Sequence, residues 1–103
     1  MGKLSLSFRQ NNVTKRSFRD QYEKLPSKIQ ALTRTACELF DKNPCHRSLR
    51  LHQLVESGRS NALTNSFSVS ITMQYRAIYV IDGGKNVWYW IGTHAEYDRF
   101  LDS

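Results

Sequence analysis

The chain has 103 residues, 40% of them hydrophobic and 12% aromatic. That composition supports one domain over residues 1–103 and excludes both a second core and a disordered chain. Fifteen Lys and Arg against nine Asp and Glu give a formal charge of +6 with histidine neutral, a hint of a polyanionic partner.

The elements follow in chain order. Lys3 to Phe8 alternates, with Leu4, Leu6 and Phe8 on one side and Ser5 and Ser7 on the other. This spacing predicts a half-buried strand and is not expected of a signal peptide. Asn11-Asn12 reads as a turn, and Thr14 as the cap of a helix carrying Phe18, Tyr22 and Leu25 on one face. Pro26 ends that helix near Leu25 and suits the first turn of the next. Ile29, Leu32, Ala36, Leu39 and Phe40 form the apolar stripe of this second helix, which Asn43-Pro44 closes. So short a connection makes the pair a helical hairpin.

Past Pro44 the period changes. Leu49, Leu51 and Val55 predict a short strand with Arg50 and His52 together on its opposite face. Glu56 to Asn65 reads as a loop. Phe67, Val69, Ile71 and Met73 alternate with Ser68, Ser70, Thr72 and Gln74, which predicts a strand with one wet face. Tyr75 to Ile81 and Asn86 to Ile91 are strands joined by a hairpin turn at Asp82-Gly83-Gly84-Lys85. Period-2 alternation puts Trp88 and Trp90 on one face, where they either pack as core or stack on bases. His94 to Leu101 is a last short helix. The expected class is α+β, in the order β-α-α-β-β-β-α. The sheet is antiparallel-rich, with the helical hairpin on one face and the other face left polar and open to a ligand.

Several chemistries lack their motifs. No run approaches ~20 apolar residues, so no membrane-spanning helix is expected. Cys37 and Cys45 cannot make a disulfide framework, and a reducing, cytoplasmic setting is the default. With His46 they lack metal-ligand spacing, so no metal is expected and no cofactor either. There is no glycine-rich phosphate loop and no serine-nucleophile motif. Glu56, Glu96 and Asp98 do not make a paired-carboxylate site.

The charge is lopsided. Residues 1–60 hold 12 Lys and Arg and 5 Asp and Glu, while residues 61–103 hold 3 and 4. Against that background the later strands place a few polar side chains on a rigid frame. Arg76 opens an otherwise apolar strand, where a cation needs solvent or a ligand. His94 opens the last helix just after a strand end, with Tyr97 one turn on.

Three segments carry a family resemblance: Asn43 to Leu54 (NPCHRSLRLHQL), Phe67 to Val80 (FSVSITMQYRAIYV) and Trp90 to Phe100 (WIGTHAEYDRF). Together they resemble the RelE/ParE toxin superfamily of prokaryotic type II toxin–antitoxin systems. The resemblance implies a RelE-like fold and two candidate activities. RelE-like members are mRNA endonucleases, many acting in the ribosomal A site. ParE-like members share the fold but inhibit DNA gyrase without catalysis.

On the nuclease branch the resemblance implies metal-independent attack by the RNA 2′-hydroxyl on its own phosphate. Such cleavage needs a base, an acid and a cation at the phosphate. Arg76 matches the family's strand arginine, expected on the scissile phosphate. His94 matches the catalytic basic position, in an acid/base role. Tyr97 corresponds to a late aromatic that stacks on a base or aids proton transfer, with Phe100 competing for that role. Arg50 and His52 match substrate-binding positions. The best-known nuclease branch is lysine- and arginine-rich here, so these residues resemble the histidine-based YoeB- and YafQ-like branches more. The implied partners are a cognate antitoxin, mRNA and the ribosome, with no membrane. An acidic or amphipathic antitoxin segment is expected to cover Arg50, Arg76 or His94, or to displace the last helix.

Overall fold

The computed structural model describes residues 11–54 and 66–102. The predicted strand at Lys3–Phe8 and the predicted loop at Glu56–Asn65 lie outside the described residues. The described elements are β1 (Asn12–Thr14), α1 (Arg16–Glu23), α2 (Ser27–Lys42), a 3-10 turn (Arg47–Leu49), β2 (His52–Gln53), β3 (Ser66–Ser70), β4 (Tyr75–Asp82), β5 (Lys85–Thr93) and α3 (His94–Asp102). They form an α+β fold on one five-stranded sheet in the order β1-β5-β4-β3-β2. β1 runs parallel to β5 and the other pairings are antiparallel.

The segment read as a turn and a cap is an edge strand instead. Asn12 makes it so. Its Nδ2 donates to Asp41 Oδ1 at 3.2 Å, and its Oδ1 accepts from Asn86 Nδ2 at 3.1 Å and Trp88 Nε1 at 3.0 Å. One side chain thus ties β1 to β5 and to the end of α2. Thr14 caps nothing. Its carbonyl and hydroxyl oxygens accept from Arg19 Nη1, and Lys15 occupies the N-cap of α1 without a side-chain bond. Pro26 is the N-cap of α2, where its fixed φ and missing N–H cost nothing. Gly83 and Gly84, at φ of +61° and +80°, form the hairpin turn between β4 and β5 as expected.

Two apolar clusters lie on opposite faces of the sheet. Phe18, Tyr22, Ala36 and Phe40 of the helical hairpin pack on Val69, Ala77, Tyr79, Trp88 and Ile91. Phe40 meets Tyr79 and Trp88 edge-on, with centroids 5.4 and 5.1 Å away. On the other face Tyr97 packs with Leu54, Ile78 and Trp90, and Phe100 and Leu101 lean against them. The sheet is therefore covered on both sides, not open and polar on one. The serines expected to be wet are the clearest sign: Ser66 and Ser68 are 0% exposed. They stay polar inside because each has a partner. The Ser66 and Tyr89 hydroxyls pair at 2.9 Å, and Ser68 Oγ accepts from Arg76.

The two tryptophans do not share a face. The β4–β5 register pairs Ile78 with Trp90 but Tyr79 with Trp88, leaving Tyr89 as the extra residue of a bulge. One inserted residue flips the alternation. Trp88 goes under α1 and α2, and Trp90 goes under α3.

Among the described residues no helix is long and apolar enough to cross a membrane.

Candidate active site

The site is assembled where β4 starts, β5 ends and α3 begins. Tyr75 and Arg76 open β4 opposite Thr93 and Gly92 of β5. α3 then starts without a linker, held by a reciprocal pair of cap bonds. Thr93 N–H donates to Glu96 Oε1 at 2.8 Å, and Glu96 N–H donates to Thr93 Oγ1 at 3.1 Å. The His94 N–H donates to the Gln74 carbonyl at 2.7 Å. These bonds fix where His94 and Tyr97 point.

Arg76 is the unusual residue. It is 7% exposed on a central strand. Its Nε donates to Ser68 Oγ at 2.7 Å and its Nη2 to the Arg50 carbonyl at 3.4 Å. The guanidinium carbon lies 5.2 Å from the centre of the Tyr97 ring, a cation–π contact. Among the described residues no carboxylate pairs with it and Nη1 has no partner. No fully buried side-chain nitrogen or oxygen among them lacks a hydrogen bond. Nη1 is therefore not a fully buried orphan. A cation held this way, on neutral partners among the described residues, is a candidate anion site.

Tyr97 is the hub. It is 5% exposed, so its ring is not open to stack on a base. That hydroxyl lies 3.5 Å from His52 Nε2. On its other side the His94 ring packs edge-on, with centroids 5.7 Å apart. Phe100, the competing aromatic, stacks on Trp90 at 5.4 Å instead. His94 is exposed at the first position of α3, and its Nδ1 faces Asp98 Oδ2 at 3.5 Å. That turns Nδ1 to the carboxylate and leaves Nε2 available.

All five residues singled out in the sequence therefore meet around Tyr97, though Arg50 does so differently. Arg50 and His52 do not share a strand face. Residues Arg47–Leu49 form a 3-10 turn capped by His46, and Arg50 follows at φ +47°. It is the one non-glycine residue with positive φ among the described ones. This left-handed conformation turns the Arg50 carbonyl onto Arg76 and ends any strand before His52. Strain of this kind tends to sit at functional sites. Two contributors were missed. Asp98 was weighed only as half of a carboxylate pair, although its spacing of four from His94 signals a helical contact. Ser68 was assigned to solvent.

The remaining titratable groups of note are structural. Burial pushes the Cys37 thiol well above its ordinary range, with Asp41 and Glu38 adding to the shift. Burial, with Cys45 adding to it, pushes the Tyr79 phenol up to about 12. Tyr89 is also raised by burial, although its bond to Ser66 opposes the shift. Among the described residues no three histidine, cysteine or carboxylate side chains come together to hold a metal.

No family model and no curated relative matches the sequence. Solved structures do. YafQ from Escherichia coli BL21(DE3) superposes with a TM-score of 0.67 at 13% identity, over 86% of this chain and 98% of that one. The decisive point is that several differently named toxins agree. The chain has the RelE/ParE toxin fold. The YoeB/ParE toxin from Agrobacterium tumefaciens gives 0.63 at 16% identity, covering 82% of this chain and 99% of that one. The RelBE2 toxin–antitoxin complex from Mycobacterium tuberculosis gives 0.62 at 21%, covering 82% and 96%. In this RelE/ParE fold the α1–α2 hairpin and α3 clasp the sheet from opposite faces. The Arg76 cluster lies at the α3 end.

Proposed function

We propose that the protein is the toxin of a type II toxin–antitoxin pair and acts as a metal-independent endoribonuclease on mRNA at the ribosome. The observation that carries this reading is Arg76: a buried guanidinium held by neutral partners among the described residues, resting on the Tyr97 ring that His52 and His94 also contact. Arg76 takes the scissile phosphate and stabilises the charge that builds on it in the transition state. His94 Nε2 transfers the proton, with Asp98 orienting the ring from Nδ1. The RNA 2′-oxygen forms a bond to phosphorus as the bond to the 5′-oxygen breaks. His94 Nε2 takes the proton that leaves the 2′-hydroxyl and returns it to the departing 5′-oxygen, leaving a 2′,3′-cyclic phosphate. His52 and the exposed Arg50 side chain line the approach of the RNA. Tyr97 holds Arg76 from below and His52 through its hydroxyl.

The partners follow from the same surface. The net charge of +6 suits both RNA and an acidic antitoxin. An antitoxin segment laid over Arg76 and His94 blocks the site directly, and the cytoplasm is where both partners meet it.

The test is cleavage of ribosome-bound and free mRNA by purified protein in excess chelator, with end-group analysis. The reading expects a 2′,3′-cyclic phosphate end, unaffected by chelator and lost in Arg76→Ala. A 5′-phosphate product, or activity abolished by chelator, overturns the mechanism. Intact RNA with inhibited gyrase moves the protein to the ParE-like, non-catalytic reading.

A further inference from the structure

Arg50 meets Arg76 with its main chain. Its carbonyl accepts from Arg76 Nη2 at 3.4 Å, while its side chain is exposed. Three features fix where that carbonyl points.

First, the turn that leads to it is closed at both ends. His46 Nδ1 accepts from the Ser48 N–H at 3.2 Å and lies 2.9 Å from Ser48 Oγ, so this histidine caps the 3-10 turn. The Leu49 N–H donates to the His46 carbonyl at 3.0 Å, and the Arg50 N–H to the Arg47 carbonyl at 3.1 Å. Second, the chain is anchored on either side of Arg50. Leu49 is buried in the cluster under the helical hairpin, and His52 pairs with Ser68 of β3. Third, Arg50 stands at φ +47° and ψ +47°. That left-handed well is costly for a residue with a Cβ. Glycine enters it freely and asparagine more readily than most.

The carbonyl in turn fixes the guanidinium. Ser68 Oγ accepts from Nε at 2.7 Å, and the Arg50 carbonyl accepts from Nη2. Nε–H and the nearer Nη2–H form one edge of this planar group. Two acceptors on one edge hold the plane, where Ser68 alone would let it swing about a single bond. Among the described residues no acceptor bonds Nη1. The Nη1–Nη2 edge is therefore the one that suits two phosphate oxygens.

We infer that Arg50 is a positioning residue for Arg76 and acts through its left-handed main chain, its carbonyl turning the Nη1–Nη2 edge of Arg76 to the phosphate. The effect on rate rests on the nuclease reading; the effect on the guanidinium does not.

The experiment compares Arg50→Gly, Arg50→Asn, Arg50→Ala and Arg50→Val in the full chain, labelled with ¹⁵N, each checked for folding by its amide spectrum. Every variant loses the same exposed cation. Each should therefore raise KM for mRNA and lower the salt slope of binding by about one. The turnover number should separate them. Glycine and asparagine accept the left-handed conformation and should hold kcat, and alanine should lose part of it. Valine, whose branched Cβ is excluded there, should lose about a hundredfold, the scale of a misplacement of about 1 Å. The Arg76 Nε–H signal should move in the same order, least in glycine and most in valine. The positioning role is overturned if kcat falls equally in every variant or in none. Where the valine variant does not fold, asparagine against alanine decides, and equal kcat overturns the inference. A wild type that cuts no RNA rejects the nuclease reading and leaves the Arg76 signal to decide. An Nε–H signal that stays put in Arg50→Ala and Arg50→Val then overturns the positioning role on its own.

Discussion

Gly92→Ala tests how the start of α3 is held. The glycine does not need a positive φ, so alanine fits the backbone. The added methyl does not fit its surroundings. It would stand 2.7 Å from Glu96 Oε1 and 3.0 to 3.1 Å from the edge of the Trp90 ring. Glu96 is flexible and swings away, giving up its bond to the Thr93 N–H, a loss of about 1 kcal/mol. Trp90 is packed between Tyr97 and Phe100 and yields less, adding about 1–2 kcal/mol of overpacking. The entropy lost from the unfolded chain returns about 0.4–1 kcal/mol. The net is about 1–2.6 kcal/mol, or a melting temperature lower by roughly 4–21 °C in a domain this size. Glu96→Ala alone should cost about 1 kcal/mol. Because the cap bond can be lost only once, the double variant should fall short of the summed effects by about 1 kcal/mol. Urea unfolding followed by circular dichroism measures all three. Additivity within about 0.3 kcal/mol would show that the methyl does not displace Glu96, and the cap argument would fail.

Asn12→Ala should destabilise by about 1–2 kcal/mol in the same assay, because it removes the bonds to Asp41, Asn86 and the Trp88 indole N–H; a loss below about 0.5 kcal/mol would contradict the role given to β1. Stability should fall in alkali. Tyr79, at about 12, and Tyr89, also raised, stay protonated when folded, while unfolded tyrosines ionise near their ordinary value of about 10. The unfolded state then binds fewer protons, so stability drops as pH rises through about 10 to 12. Tyrosinate absorbance should lag until unfolding; full titration of a folded chain near pH 10 would refute it. Tyr97→Phe keeps the ring beneath Arg76 and removes the hydroxyl facing His52. It should leave phosphate affinity intact and slow turnover, read as a fall in kcat without a rise in KM.

Much of this fold is written in local pattern. The αα-hairpin follows from an apolar stripe and Pro26, and β3 to β5 follow from alternation and the Gly83-Gly84 turn. What alternation cannot express is a change of phase. The bulge at Tyr89 shifts it by one residue and sends Trp90 to the face opposite Trp88. Nor does it say which face is dry. Ser66 and Ser68 look wet in sequence, yet both are fully buried and Tyr89 and Arg76 satisfy them. The candidate site was legible as residue types, since Arg76 and His94 are costly or exposed where they stand. Arg50 was misplaced because a left-handed residue after a 3-10 turn has no periodicity to read. The Thr93-x-x-Glu96 box and the His94–Asp98 spacing are both visible in the chain, and only their function needed the third dimension.

The most direct test of the central claim is induced expression in bacterial cells, with mRNA 5′ ends and plasmid supercoiling mapped together. Wild type should be compared with His94→Ala and Arg76→Ala, each shown to fold. New mRNA ends in register with codons, absent in both variants, are the predicted result. Intact messages with altered supercoiling, unchanged in the variants, would contradict it.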